Sequence, residues 1–204
     1  DTRRPLESSE ARVICLESDT EDIERVEPDF EAVAIDPQST AFTLGDGRCP
    51  TSISHERLAQ RLAWLQHECP LSADDVVLHH SYDVPDRWVI ELLWPLASGA
   101  AVSLAGADGD SRSPGPSPTV VYLSPAELSA PIDDPQRGRR WSALRTIFCG
   151  GGELRQQIVD AVFKHYSGCR LYNLYAPAEV GGEVTAYRCQ AGDQREIFPA
   201  VRPT

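Results

Sequence analysis

Methionine is absent from the 204 residues, and lysine occurs once, at Lys164, against eighteen arginines (19 minus 1). The first absence leads us to expect that Asp1 is not a natural start and that the chain is a piece cut from a longer polypeptide. The second excludes any mechanism that needs a lysine elsewhere. Paired cysteines are missing too. Cys15, Cys49, Cys69, Cys149, Cys169 and Cys189 form no C-x-x-C pair, and no histidine stands at zinc-like spacing from two of them. Such single cysteines read as small buried hydrophobes, and no metal site is expected. No apolar run approaches the roughly 18 residues of a membrane-spanning helix, and no signal-peptide core opens the chain, so a cytoplasmic protein is expected. Positive charge is scarce: the net charge is -12. A surface of that sign repels phosphate backbones and anionic lipid, which argues against nucleic acid and membrane as partners. What is present is ordinary for a globular protein, 41% hydrophobic and 25% charged residues.

Apolar runs alternate with helical patterns along the chain. Strands are predicted at Val13–Leu16, Glu31–Ile35, Thr40–Leu44, Val76–Leu78, Ala101–Leu104, Val120–Leu123, Leu144–Cys149, Leu171–Leu174 and Val184–Tyr187. Ser54 is placed to cap a helix whose Leu58, Leu62 and Leu65 recur at i, i+4 and i+7, with Pro70 beyond its end. Arg87–Leu96 is apolar nearly all round, so that helix must be buried on most sides. Glu153–Tyr166 carries Leu154, Ile158, Ala161, Val162 and His165 on one face, a further amphipathic helix. Asp108–Pro118 reads as a flexible Gly/Ser/Pro loop and the tail from 190 to 204 as loosely ordered. Strands alternating with helices predict an α/β fold, a largely parallel sheet flanked by helices on both faces, as a single domain over 1–204.

Few motifs carry chemistry by themselves. Gly150-Gly151-Gly152 stands between a predicted strand and helix, where a backbone can present N–H groups to an anion; a tight turn explains it equally well, since neither GxGxxG nor a Walker loop is present. Gly45-Asp46-Gly47-Arg48 reads as a simple turn, because Asp46 would repel a phosphate. His79, His80 and Asp83 have the residue types to form a nucleophilic set with Cys149 or Ser81, but nothing in the sequence orients them, and paired histidines after a strand read as partly exposed loop residues. Asp86, directly before the apolar helix, reads as its N-cap, or alternatively as an anionic partner for a ligand's ammonium.

Several segments, in order along most of the chain, resemble the adenylation domains of nonribosomal peptide synthetases. They are SHERLAQRLAWLQHECPLSADDVVL, WPLASGAAVSLAG, LRTIFCGGGELRQQIV, LYNLYAPAEVGGEVTAYRC and FPAVRP. The resemblance implies part of the large N-terminal core of an adenylate-forming enzyme, a family that uses ATP and Mg2+. It also implies roles: Asp86 falls on the family's partner for the substrate ammonium, Arg87 and Ile90 fall on lining positions of the amino-acid pocket, and Asn173, Tyr175 and Glu179 fall in the family's nucleotide and magnesium motif.

The departures from that pattern set the functional expectation. The family's phosphate loop is rich in Gly, Ser and Thr and ends in Pro-Lys-Gly; here TLGDGRCPTSISH has lost the hydroxyl run and the lysine. The threonine of the family's NLYGPTE motif is Ala178 here, and its glycine is Ala176. DGDSRSPGPSP at 108–118 stands where the family carries a helix. We therefore expect a truncated, catalytically inactive core with vestigial substrate positions (Asp86, Arg87, Ile90) and vestigial nucleotide positions (Asn173, Tyr175, Glu179). It is expected to hold no cofactor. Its expected role is structural, packing against neighbouring condensation or carrier domains or a second copy. The alternatives are a residual amino-acid or nucleotide binding domain, and an adenylating enzyme completed by another chain.

Overall fold

The computed structural model describes residues 18–26, 33–44, 50–80, 87–105, 116–133, 141–175 and 185–193. The chain divides into two units, Asp1–Ile35 and Asp36–Thr204. In the first, the described residues hold one short helix, α1 (Thr20–Glu24), with no buried residue. Arg25 closes its last turn by pairing with Glu21 and Asp22. Val33 to Ile35 are exposed and outside any strand. The strand predicted at Glu31–Ile35 is thus corrected over those three residues, because an apolar alternation without a neighbouring strand has nothing to pair with.

The second unit opens with a hairpin of β1 (Thr40–Leu44) and β2 (Thr51–Ser54), antiparallel, followed at once by α2 (His55–Glu68). Ser54 caps α2 as predicted: its hydroxyl accepts from the Arg57 amide at 3.3 Å. The chain then runs through β3 (Val76–His79), a π-helical turn (Val89–Leu93), α3 (Trp94–Ser98), β4 (Ala101–Leu104), β5 (Val120–Leu123), α4 (Pro125–Asp133), β6 (Thr146–Cys149), α5 (Gln156–His165), β7 (Arg170–Tyr175) and β8 (Thr185–Cys189).

The main sheet has the order β4-β3-β5-β6-β7-β8 and is parallel except for the β7–β8 pair. Its middle strands are buried on both faces, which is why VVLH, VVYL and TIFC read as continuous apolar runs rather than as an alternation. The period of two still sorts the side chains. Val77, Val120, Tyr122, Phe148, Tyr172 and Leu174 turn toward Leu65, Val89, Ile90 and Trp94 of α2, the π-turn and α3. Leu78, Val121, Leu123, Ile147, Cys149 and Leu171 turn toward Leu128 of α4 and Leu154, Val159 and Val162 of α5 and its approach. The α/β architecture read from the sequence is the one observed.

Two polar clusters hold the layers in register. Gln66 on α2 accepts at Oε1 from Trp94 Nε1 (2.9 Å), the Ser98 hydroxyl (3.0 Å) and the Leu71 amide (3.1 Å), and donates to the Leu71 carbonyl. The indole of Trp94, fully buried, thus keeps its one donor satisfied while its ring meets Phe148 edge-on. At the N-terminal ends of the strands, Asp75 accepts from the Ser72 amide, the Ser72 and Thr119 hydroxyls and Arg145 Nε. Arg145 also reaches the Pro70 carbonyl at 2.9 Å. The segments leading into β3, β5 and β6 are fixed together by one carboxylate. Among the described residues, no helix is long and apolar enough to cross a membrane.

Candidate functional site

The strand order locates the site. From β3 the chain passes to β4 on one side, then returns to β5 on the other. In open α/β sheets, ligands bind outside the carboxyl ends of the strands where the winding reverses, because the helices that follow diverge to opposite faces and leave a crevice. Here that place is the carboxyl ends of β3 and β5, with the turn after β6 alongside.

A charged cluster fills it. His79 is the last residue of β3, and its Nδ1 lies 2.7 Å from Oε2 of Glu91, which the π-turn delivers from the opposite layer. Glu91 is 0% exposed, and His79 is 5% exposed. The same carboxylate oxygen accepts from the His80 amide at 3.2 Å. A buried carboxylate without partners would be costly, and these contacts are its compensation. The His80 ring lies between two carboxylates: Nδ1 is 3.6 Å from Glu91 and Nε2 is 3.4 Å from Glu127. Both ring nitrogens are sealed from solvent and are aligned for no hydrogen bond among the described residues, so these are ion-pair separations only. Of the paired histidines expected to be partly exposed loop residues, His80 follows the strand and is partly exposed, whereas His79 is buried at the end of β3, where the π-turn brings Glu91 over it.

Arg87 bridges the two layers. Its NH1 donates to Glu127 Oε2 at 3.2 Å, and its guanidinium carbon lies 4.8 Å from the centre of the Tyr122 ring. Glu127 belongs to the first turn of α4 and also accepts from the Ser124 amide at 2.6 Å. The His80 imidazole foremost, then the Ser124 hydroxyl and amide and the Arg87 charge, outweigh desolvation and hold the Glu127 carboxyl well below its ordinary range.

The triglycine after β6 has steric reasons. A Cβ on Gly150 would lie 2.3 Å from the Tyr122 hydroxyl and 3.0 Å from the Leu174 carbonyl. Gly151 has φ +77, a conformation other residues rarely adopt. The helix α5 begins only at Gln156, with Arg155 in the capping position, so the turn does not run directly into a helix N-terminus. Cys149, Cys169 and Cys189 are buried, and burial foremost pushes each thiol up to about 12. Cys149 is accordingly no nucleophile as it stands.

Of the residues selected from the sequence, Arg87 is in this cluster and 8% exposed. Ile90 is fully buried in the cluster that holds Leu65, Trp94 and Phe148. Asn173 is buried on β7 opposite Cys149 in register. Tyr175 ends β7 and is 57% exposed. Asp86 and Glu179 lie outside the described residues, as do Ser81, Asp83 and the loop at 45–49. Glu91, Glu127 and Tyr122 also belong to the cluster and are not among the residues the sequence singles out. Glu91 carried a usable signal: a lone carboxylate in WVIELLW, on a helix apolar all round, must find a buried partner.

No family model matches the chain. In sequence it is similar to the phosphinothricin tripeptide synthetase PhsB of Streptomyces viridochromogenes, 30% identical over 171 residues, which is 79% of this chain and 14% of that protein. The chain therefore spans about one seventh of that relative's length. In structure it is similar to the Vibrio cholerae adenylation domain AlmE, crystallised with glycyl-adenosine-5'-phosphate: TM-score 0.65, 21% identity, covering 76% of this chain and 30% of that one. It is also similar to the nonribosomal peptide synthetase FmoA3, with TM-score 0.76, 18% identity, and coverage of 89% and 21%.

Proposed function

From a chain that carries part of the adenylation-domain core of nonribosomal peptide synthetases, we propose a non-catalytic module that packs against neighbouring synthetase domains, condensation or carrier, or against a second copy, and holds their spacing. The observation that carries this reading is the crevice at the winding reversal, filled by the chain's own Arg87, Glu91, Glu127 and histidines. The sequence supports it from the other side: Asp46 and Ala178 stand where phosphate contacts belong, and the one lysine, Lys164, is on the exposed side of α5.

Of the positions that the resemblance assigns to ATP and magnesium, the loop at 45–49, Ala178 and Glu179 lie outside the described residues, and the described strand ends beside them do not favour a triphosphate. A triphosphate needs converging N–H donors and cationic charge. At these strand ends, carboxylates from two layers converge instead, and the Arg87 guanidinium is committed to Glu127.

The test is amino-acid-dependent ATP–pyrophosphate exchange by the chain together with its natural neighbouring domains, across the proteinogenic amino acids. Exchange at background level is expected. Exchange above it with any amino acid overturns the reading, and would favour an enzyme completed by another chain. A second reading, residual binding of an amino acid or nucleoside, has one observation in its favour: the exposed Tyr175 ring at the end of β7. Calorimetry discriminates, since a flat titration at millimolar ligand removes it.

A further inference from the structure

Among the described residues, three elements build a cradle around the Arg87 guanidinium, and none of them is the element that supplies it. Tyr122 of β5 gives an aromatic face 4.8 Å from the guanidinium carbon. Glu127 of α4 gives a carboxylate oxygen 3.2 Å from NH1. The turn after β6 gives a wall without side chains: NH2 lies 3.6 Å from where a Cβ on Gly151 would stand. An aromatic face, a carboxylate and a close backbone wall are what recognise an organic cation, the ring through its quadrupole and the carboxylate through charge-assisted hydrogen bonds. The cradle stands at the winding reversal, where folds of this type take ligands.

The surrounding charge points the same way. Glu91 and Glu127 both approach the His80 ring, at 3.6 and 3.4 Å. With the guanidinium removed, two carboxylates from opposite layers would face one another across an imidazole and a vacated ring face. Such a place attracts a small cation and repels an anion.

We propose that the end of β5 carries an organic-cation site for guanidinium or alkylammonium groups, filled in the chain by its own Arg87. The site is closed by an internal occupant and opens when that side chain is removed. It rests on the geometry around Tyr122 and Glu127, independently of whether the chain adenylates.

Arg87→Ala in the full 204-residue chain tests it, by thermal melts in methylguanidinium chloride up to 50 mM with matched sodium chloride as control. Arg87→Ala is expected to melt several degrees below the parent. Methylguanidinium is expected to return about 3 °C or more once it exceeds a millimolar Kd about ten-fold. The parent chain is expected to respond to the two salts alike, because its cradle is full. The double variant Arg87→Ala/Glu127→Gln is expected to lose most of the methylguanidinium response. Equal effects of the two salts on Arg87→Ala overturn the proposal, as does an undiminished response in the double variant. Should Arg87→Ala not fold unaided, its refolding yield with and without 20 mM methylguanidinium reads the same quantity, and an unchanged yield overturns the proposal. None of these outcomes bears on pyrophosphate exchange, so the two ideas fail separately.

Discussion

Asp75 shows how one side chain sets a condition on the whole sheet. Burial alone would raise its pKa, but the Arg145 guanidinium, the Ser72 amide and the Thr119 hydroxyl bring it down to about 2 from an ordinary 3.8. A folded-state pKa below the unfolded one means that the carboxylate stabilises the fold above about pH 3.8. That contribution is lost as pH falls through about 2. The shift corresponds to roughly 2 kcal/mol at neutral pH, with Asp75 only 6% exposed. Asp75→Asn is therefore expected to lower urea-measured stability by about that amount at pH 7, and to flatten its fall between pH 4 and pH 2. A variant whose acid limb retains the parent's slope would show that Arg145 draws its stabilisation from elsewhere.

At the scale of elements, what was legible depended on whether a local signal matched the tertiary outcome. The helix α2 was readable because Ser54 and the Leu58, Leu62, Leu65 spacing agree, and Leu65 is indeed buried. The face of α5 was read partly out of phase: Val159 and Val162 are buried, whereas His165 is exposed. A stripe wide enough for Leu154, Ile158 and Val162 leaves its centre undetermined until α4 packs on one flank. The π-turn was invisible, since a segment apolar on every side has no phase from which an extra residue could be noticed. Its consequence, Glu91 under His79, was invisible with it, because the partners are twelve residues apart and nothing local joins them. The site was thus legible at Arg87 and not at the residues that hold Arg87. The helix α4 is a different case, because its signal stands in the sequence. Ser124-Pro125-Ala126-Glu127 is a capping box with proline in the first turn: the Ser124 hydroxyl accepts from the Glu127 amide at 3.2 Å, and the Ser124 amide donates back to the Glu127 carboxylate. Ser124→Ala removes one half of that exchange. It is expected to cost about 1 kcal/mol in denaturant unfolding at unchanged m-value. A cost near zero would show that the Glu127 side chain alone fixes the start of α4.

For the whole molecule the question is which part of the chain can sustain a folded state. Among the described residues, the two hydrophobic clusters lie between Phe42 and Cys189, inside the unit Asp36–Thr204. That unit holds the hairpin, the six-stranded sheet and helices on both of its faces. A chain of that size buries roughly 70% of the surface its unfolded form exposes, which is ample for an independent core. The other unit offers, among its described residues, a five-residue helix with no buried side chain. Isolated helices shorter than about 12 residues are marginal in water, so α1 cannot nucleate a domain by itself. Residues 36–204 expressed alone are therefore expected to melt in a single cooperative transition, coincident by far-ultraviolet and near-ultraviolet circular dichroism. The near-ultraviolet signal matters because Trp94 meets Phe148 edge-on and Phe148 stacks on Tyr172 within the core, so these rings report tertiary packing directly. Retained helix signal with lost aromatic signal would mean that the sheet forms but does not close on α2 and α3. Residues 1–35 would then be required for the packed state, and the boundary between the two units would not be a boundary of folding.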